Sequence, residues 1–238
     1  LLDTQAENGN DEKKVDWYYR IAMIYLEKMN RKVDAVKYFE NVLSVEPLHE
    51  ASIEALKVLY PERRDWEKLL DIHRRELQRM DSLPDQIELL REMADIAKTK
   101  MRNNGAAIDV WKDVLERDPN NAEAISSLES LYESEKRWSD LAGIMEHRIA
   151  LTEDADEQFQ ALQKLGALYS DKANDNVDAI ATWRRVLAID PTYAKGIDAL
   201  RKLLIEERDW ASLEEYYAEN DNLPEVVKLF EQLSKTLK

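Results

Sequence analysis

Ala179-Ile180-Ala181-Thr182-Trp183-Arg184-Arg185-Val186-Leu187-Ala188-Ile189-Asp190-Pro191 has two earlier counterparts in this chain of 238 residues. One keeps Ala107, Ile108, Trp111, Val114, Leu115, Asp118 and Pro119, and the other keeps Ala35, Val36, Phe39, Val42, Leu43, Glu46 and Pro47. The steps are equal, 119 − 47 = 72 and 191 − 119 = 72. A second set of landmarks holds the same step: Trp66, Trp138 and Trp210, each followed three residues on by Leu69, Leu141 and Leu213. Two independent landmarks at one spacing identify an internal repeat, and a repeat decides the architecture before any single residue does.

Inside the repeat the apolar residues fall at helical spacing. Tyr18, Ile21, Ala22 and Tyr25 lie at i, i+3, i+4 and i+7, one stripe of a helix running from Trp17 to Met29. Ala35, Phe39, Val42 and Leu43 form the stripe of a second helix, which Pro47 ends because proline cannot donate to the ladder and disfavours helical geometry before it. Ile53, Leu56, Leu59 and Tyr60 mark a third, which Pro61 is expected to close, and Trp66, Leu69, Leu70 and His73 a fourth. The plan recurs from Leu90 and again from Leu162, so twelve helices are predicted. The short segments between them force neighbours to run antiparallel. Asn103-Asn104-Gly105 and Asn174-Asp175-Asn176 are expected to supply helix stops, since Gly and Asn tolerate the left-handed conformation of a C-cap. Tryptophans at repeat spacing are expected to be packing elements, each removing roughly 150 to 250 Å² from water. On this basis Trp138→Ala is expected to cost about 3 to 5 kcal/mol.

This reading divides the chain into a polar linker or the end of a preceding repeat (1–15) and three blocks of two helical hairpins (16–87, 88–159, 160–220). Residues 221–238 carry Val227, Phe230, Leu233 and Leu237 and are expected to form a capping helix or the start of a further repeat. Charged residues make up 35 % of the chain and hydrophobic ones 44 %, with only 5 Gly and 6 Pro, the balance of a helical protein. No run approaches the roughly 18 apolar residues that a membrane span needs. A net charge of −15 disfavours nucleic acid and anionic lipid and favours basic or apolar partners. Arg63, Arg64, Arg74 and Arg75 keep the first block near balance, and the later two carry the excess.

Side chains that could carry chemistry are few. There is no cysteine, hence no disulfide framework and no thiol nucleophile. No signal peptide is visible at Leu1-Leu2-Asp3, and cytoplasm is favoured over periplasm. His49, His73 and His147 lie far apart and match no metal or triad spacing. Asp171, Asn174, Asp175, Asn176 and Asp178 cluster in one stretch but lack the central Gly and terminal Glu of a calcium loop, so capping is the better account. No phosphate-binding or nucleophile-elbow motif occurs. Neither an enzyme nor a bound cofactor or metal is expected.

Half of each block resembles the tetratricopeptide repeat, whose pattern is W-x2-L-G-x2-Y, then A-x3-F, then P. The match is Leu162, Leu165, Gly166, Tyr169, Ala179, Trp183 and Pro191; in the first block Tyr18, Ile21, Ala22, Tyr25, Ala35, Phe39 and Pro47; in the second Leu90, Met93, Ala94, Ala97, Ala107, Trp111 and Pro119. The small residue at 22, 94 and 166 lets two helices approach closely. In the other halves Lys57, Glu129 and Arg201 stand at that position, so those hairpins are expected to pack differently or more loosely. Half-a-TPR solenoids also use Trp and Pro landmarks and are the alternative within the class. The resemblance implies an all-α, right-handed α-solenoid of antiparallel helix pairs, with the first helix of each hairpin lining a concave face. Carried over residue by residue, its groove positions are Tyr19, Met23 and Leu26, then Arg91, Asp95 and Lys98, then Gln163, Ala167 and Ser170. The implied function is a non-enzymatic scaffold that binds a partner peptide or helix along that face, as a stretch of a longer array. The alternatives are an architectural spacer and a regulatory domain attached to an enzyme.

Overall fold

The helical periodicity is realised throughout the described chain, residues 11–219 and Lys228, in the computed structural model. Twelve α-helices and no strand occur among the described residues: α1 (Asp11–Met23), α2 (Lys32–Val45), α3 (Glu50–Arg63), α4 (Trp66–Leu77), α5 (Leu83–Asp95), α6 (Asn104–Arg117), α7 (Ala122–Ser134), α8 (Trp138–Leu151), α9 (Ala155–Leu168), α10 (Asn176–Ile189), α11 (Ala194–Glu206) and α12 (Trp210–Glu219). The chain divides into two compact units, Leu1–Ala124 and Ile125–Lys238, with the border inside α7. Each is an all-α stack of antiparallel helix pairs. In the first, α1 packs on α2, α3 on α2 and α4, and α5 on α4 and α6, around Phe39, Ile53, Leu56, Leu90, Met93 and Ile108. In the second, α9 packs on α8 and α10, and α11 on α10 and α12, around Leu128, Ile149, Leu165, Leu200, Leu204 and Leu213.

Local chemistry explains the helix ends. The side chains of His49, Asn103, Asp154 and Asp175 each accept a hydrogen bond from the backbone N–H three residues on, satisfying a donor that the first turn leaves unpaired. At the other ends one residue per hairpin turn is left-handed, and none is glycine: Asn30, Arg64, Arg102, Lys136, Asn174 and Arg208. Two kinds of turn alternate. After α1, α5 and α9 the helix widens into a π turn, Ile24–Lys28, Ile96–Lys100 and Tyr169–Ala173. Each is closed by a bond across six residues: Arg31 N to Tyr25 O at 2.8 Å, Asn103 N to Ala97 O at 2.9 Å and Asp175 N to Tyr169 O at 3.1 Å. A π turn accommodates an extra residue without breaking the ladder. After α3, α7 and α11 the span is five residues, with Asp65 N to Tyr60 O at 3.0 Å and Arg137 N and Asp209 N making the same bond to Tyr132 O and Leu204 O at 2.9 Å. Those are Schellman ends.

Several expectations change. Asn174 is the left-handed stop foreseen, but in the preceding block the stop is Arg102; Asn103 instead caps the start of α6, and Gly105 lies inside that helix. Pro61 does not close α3, which runs on to Arg63 and ends at left-handed Arg64. The ring sits in the last turn, where only one ladder bond is lost. Residues 11–15 are helical, not linker, with Asp11 and Glu12 at the positive end of the α1 dipole. Trp66, Trp138 and Trp210 are only half-buried, because each is the first residue of its helix and sits at a hairpin tip, whereas Trp111 and Trp183 are buried. The expected loss for Trp138→Ala falls accordingly. Residues 1–10 and the stripe Val227, Phe230, Leu233 and Leu237 lie outside the described residues.

The small and the charged residues at the helix crossing give two packings. Ala22, Ala94 and Gly166 are buried between the helices of their pairs. A Cβ at Gly166 would stand 2.8 Å from Trp183 Cε2, so the indole occupies the space a side chain would need. Where the crossing carries charge, Lys57 Nζ lies 2.7 Å from Glu76 Oε1, and Glu129 Oε2 lies 2.9 Å from Arg148 Nη1, each pair joining the two helices of one hairpin. Two of the three divergent hairpins thus pack differently, through an interhelix ion pair. Arg201 instead pairs with Asp198 on its own helix at 2.8 Å.

Candidate interaction surface

The nine residues carried over from the resemblance sit on α1, α5 and α9 or on the π turns that extend them. Their environments differ. The first of each trio bridges to the following hairpin: the Tyr19 ring, 5.9 Å from Phe39 of its own hairpin, lies 5.2 Å from that of His49, Arg91 Nε is 2.7 Å from Glu123 Oε2, and Gln163 Oε1 accepts from Tyr193 OH at 2.8 Å. These three side chains hold hairpin to hairpin. Ser170 is engaged too, donating to Gly166 O at 2.8 Å and accepting from Trp183 Nε1 at 3.2 Å. Asp95 and Lys98 are exposed, and Met23 and Leu26 are half-exposed. Ala167 lines the wall of a cleft.

That cleft, about 520 Å³, lies within the second unit between α7, α8 and α9. One wall is the stripe Ser126, Glu129, Ser130 and Glu133, spaced i, i+3, i+4 and i+7 on α7. The floor includes Leu141 and Met145 of α8, and the far wall carries Lys164, Ala167 and Asp171, with Lys172 at its end. The α7 wall could have been read from the sequence. Aligning Tyr132 with Tyr25, an offset of 132 − 25 = 107, carries Tyr19, Met23 and Leu26 onto Ser126, Ser130 and Glu133. All three line the cleft. The repeat pattern does not mark them, because Glu129 replaces the small residue on which it depends.

Electrostatically the cleft is balanced, with Glu129, Glu133 and Asp171 against Arg148, Lys164 and Lys172. Burial pushes the Glu129 carboxyl above its ordinary range, against the pull of Arg148 and Lys164, and its Oε1 is buried without a hydrogen-bond partner. The counterpart in the first unit behaves oppositely. Burial would raise Glu76 as well, but hydrogen bonds from Lys57 and His73 outweigh it and hold the carboxyl below its ordinary range. Chemically the cleft offers an apolar floor between two walls of hydrogen-bonding and charged groups, which suits a bound segment of polypeptide. Among the described residues no group of three or more His, Asp or Glu could hold a metal ion, and no helix is long and apolar enough to cross a membrane.

Family models described as tetratricopeptide repeat match residues 18–49, the α1–α2 hairpin, and residues 124–158, the α7–α8 hairpin and the start of α9. The second match falls on a hairpin with a charged crossing. No curated protein sequence matches the chain. Among solved structures, the TPR domain of P58(IPK) is 17% identical with a TM-score of 0.40, over 93% of this chain and 63% of that one. MamA (41-end) from Desulfovibrio magneticus RS-1 is 16% identical with a TM-score of 0.34, over 91% and 97%. YrrB, described as a TPR protein with an unusual peptide-binding site, is 14% identical with a TM-score of 0.33, over 84% and 97%. The chain therefore spans just under two thirds of the P58(IPK) domain.

Proposed function

We propose that this chain, whose residues 18–49 and 124–158 match tetratricopeptide-repeat models, is a non-enzymatic scaffold, a stretch of a longer array, that holds a partner peptide or helix in the cleft of its second unit. The observation that carries the reading is the convergence of Ser126, Ser130 and Glu133 of α7 with Ala167 of α9 on one opening with an apolar floor. The side chains have the reach for a polypeptide backbone, since the serine hydroxyls both donate and accept. The partner is basic or apolar, because the net charge of −15 attracts cations over the whole surface while the cleft itself is balanced. The three blocks 16–87, 88–159 and 160–220 serve as its building units.

The spacer reading is favoured for the first unit by one observation: Tyr19 and Arg91, at groove positions, are spent on the neighbouring hairpins. A binding experiment separates the two. Peptides selected from a random library on the full chain should lose binding to Ala167→Trp, which fills the cleft, while the melting temperature stays unchanged. Equal binding by wild type and Ala167→Trp would remove the cleft from the reading, and failure to select any peptide would favour the spacer.

A further inference from the structure

The first helices of the three blocks carry equivalent residues whose exposure is not equal. Ile24, Ile96 and Leu168 are related by the repeat, 96 − 24 = 72 and 168 − 96 = 72. Ile96 and Leu168 are 7% and 8% exposed, while Ile24 is 42% exposed. Their neighbours agree: Leu89 and Leu90, and Ala161 and Leu162, are buried, whereas the counterparts Trp17 and Tyr18 are half-exposed. The cause lies in what covers them. In the first unit α5 packs against α4, and in the second α9 packs against α8. No described helix precedes α1. The apolar positions that α5 and α9 bury are therefore filled on α1 by Trp17, Tyr18 and Ile24; the Tyr18 ring lies 6.3 Å from Tyr38 of its own hairpin, Arg20 stands over the Trp17 ring, and no described helix covers Ile24.

The opposite end is built otherwise. Glu214 of α12 is exposed, and it stands where α4 and α8 bury Leu70 and Ala142, with 214 − 142 = 72 and 142 − 70 = 72. Tyr216 is half-exposed where Ile72 and Ile144 are buried. A second copy of this chain stacking head to tail would press Glu214 and Glu215 onto Trp17, Tyr18 and Ile24. The cations nearby on α1 are already paired, Lys14 with Asp11 and Arg20 with Asp16. Burying unpaired carboxylates on an apolar face is costly, so a second copy is a poor occupant.

We infer that Trp17, Tyr18 and Ile24 form a repeat-stacking face for one occupant: a further hairpin of this repeat class, whose second helix carries an apolar stripe like Leu69 and Ile72 of α4 or Leu141, Ile144 and Met145 of α8. This rests on the reading of the chain as a stretch of a longer array and adds the face at which the array continues. A scaffold of this kind grows by nearest-neighbour contacts, so the occupant stabilises α1 first.

The test grafts a copy of residues 122–154 in place of residues 1–10, which brings the α8 sequence into α1 in the native register, since 155 − 11 = 144 is two repeats. The graft should melt in one transition at a higher temperature than the parent chain, with α1 amides more protected from hydrogen exchange. Ile24→Glu should leave the parent nearly unchanged and abolish the gain in the graft. Should the graft not fold, a synthetic peptide of residues 136–154 added to the parent should slow exchange in α1, and Ile24→Glu should remove that effect. A separate transition for the graft with α1 unprotected, or a peptide without effect, overturns the proposal. So does a concentration-dependent dimer of the parent that Ile24→Glu dissociates. Each readout is independent of the Ala167→Trp binding assay, so either reading can fail alone.

Discussion

The α9–α10 hairpin closes on a glycine, and the α7–α8 hairpin closes on an ion pair. At Gly166 the absence of a side chain admits the Trp183 indole, and the crossing is sealed by aromatic surface. At Glu129 the crossing is spanned by a carboxylate only 17% exposed and held by Arg148. The first block repeats the second solution with the signs exchanged, Lys57 with Glu76, where 129 − 57 = 72 and 148 − 76 = 72. In these two hairpins opposite charges stand at the same two positions, and the helix that carries each sign differs between them. That difference has a functional consequence. In the second unit it sets a carboxylate on the cleft wall, with one oxygen unpartnered, where the first block has an ammonium.

The comparison breaks most readily at the tryptophans. Trp183→Ala should cost about 3 to 5 kcal/mol, the range for emptying a buried aromatic site. Trp138→Ala, half-buried at a tip, should cost only about 2 kcal/mol by lost area. Urea unfolding of both variants decides it, and equal losses would mean that the glycine crossing has no special dependence on its plug. A smaller effect sharpens the ion-pair side. Arg148→Glu should cost about 1 to 2 kcal/mol, discounted from the buried-pair range because Arg148 is partly exposed. Adding Glu129→Lys should recover most of it, since the double variant reproduces the arrangement of Lys57 and Glu76. A double-mutant cycle that shows no coupling would deny the pair its structural role.

The smallest effect is in the acid range, where the two carboxylates act with opposite sign. Glu76 is held below its ordinary value of 4.5, so its contribution is full above 4.5 and is lost as the pH falls through its lowered folded value. Glu129 is held above 4.5, so its ionisation weakens the fold, and stability is regained as the pH falls through its raised value toward 4.5. Glu76→Gln should therefore flatten the stability curve below 4.5, and Glu129→Gln should remove a gain above it. Chemical denaturation across pH 3 to 7 reads both, and like-signed changes would contradict the contrast.

Much of the fold was legible because its signals are local. The stripe from Tyr18 to Tyr25 and the stop before Pro47 need only neighbouring residues. The site was less legible. Of the nine groove positions only Ala167 lines the cleft, and the cleft-lining Ser126, Ser130 and Glu133 are hidden in the sequence because Glu129 breaks the pattern that marks the hairpin. Tyr19, Arg91 and Gln163 were correctly placed on the first helices, yet each spends its side chain on a residue about thirty positions away, which periodicity does not reveal.

By itself the sequence determined that this protein is helical, paired and periodic, since backbone preference and apolar spacing act within a few residues and repeat with the chain. Only the tertiary structure decided that Trp183 is buried while Trp138 is not, that Glu129 meets Arg148, and that Ile24 stands uncovered where Ile96 does not. The reason is that burial and pairing belong to two surfaces at once, and a residue's own neighbourhood in the chain specifies only one of them.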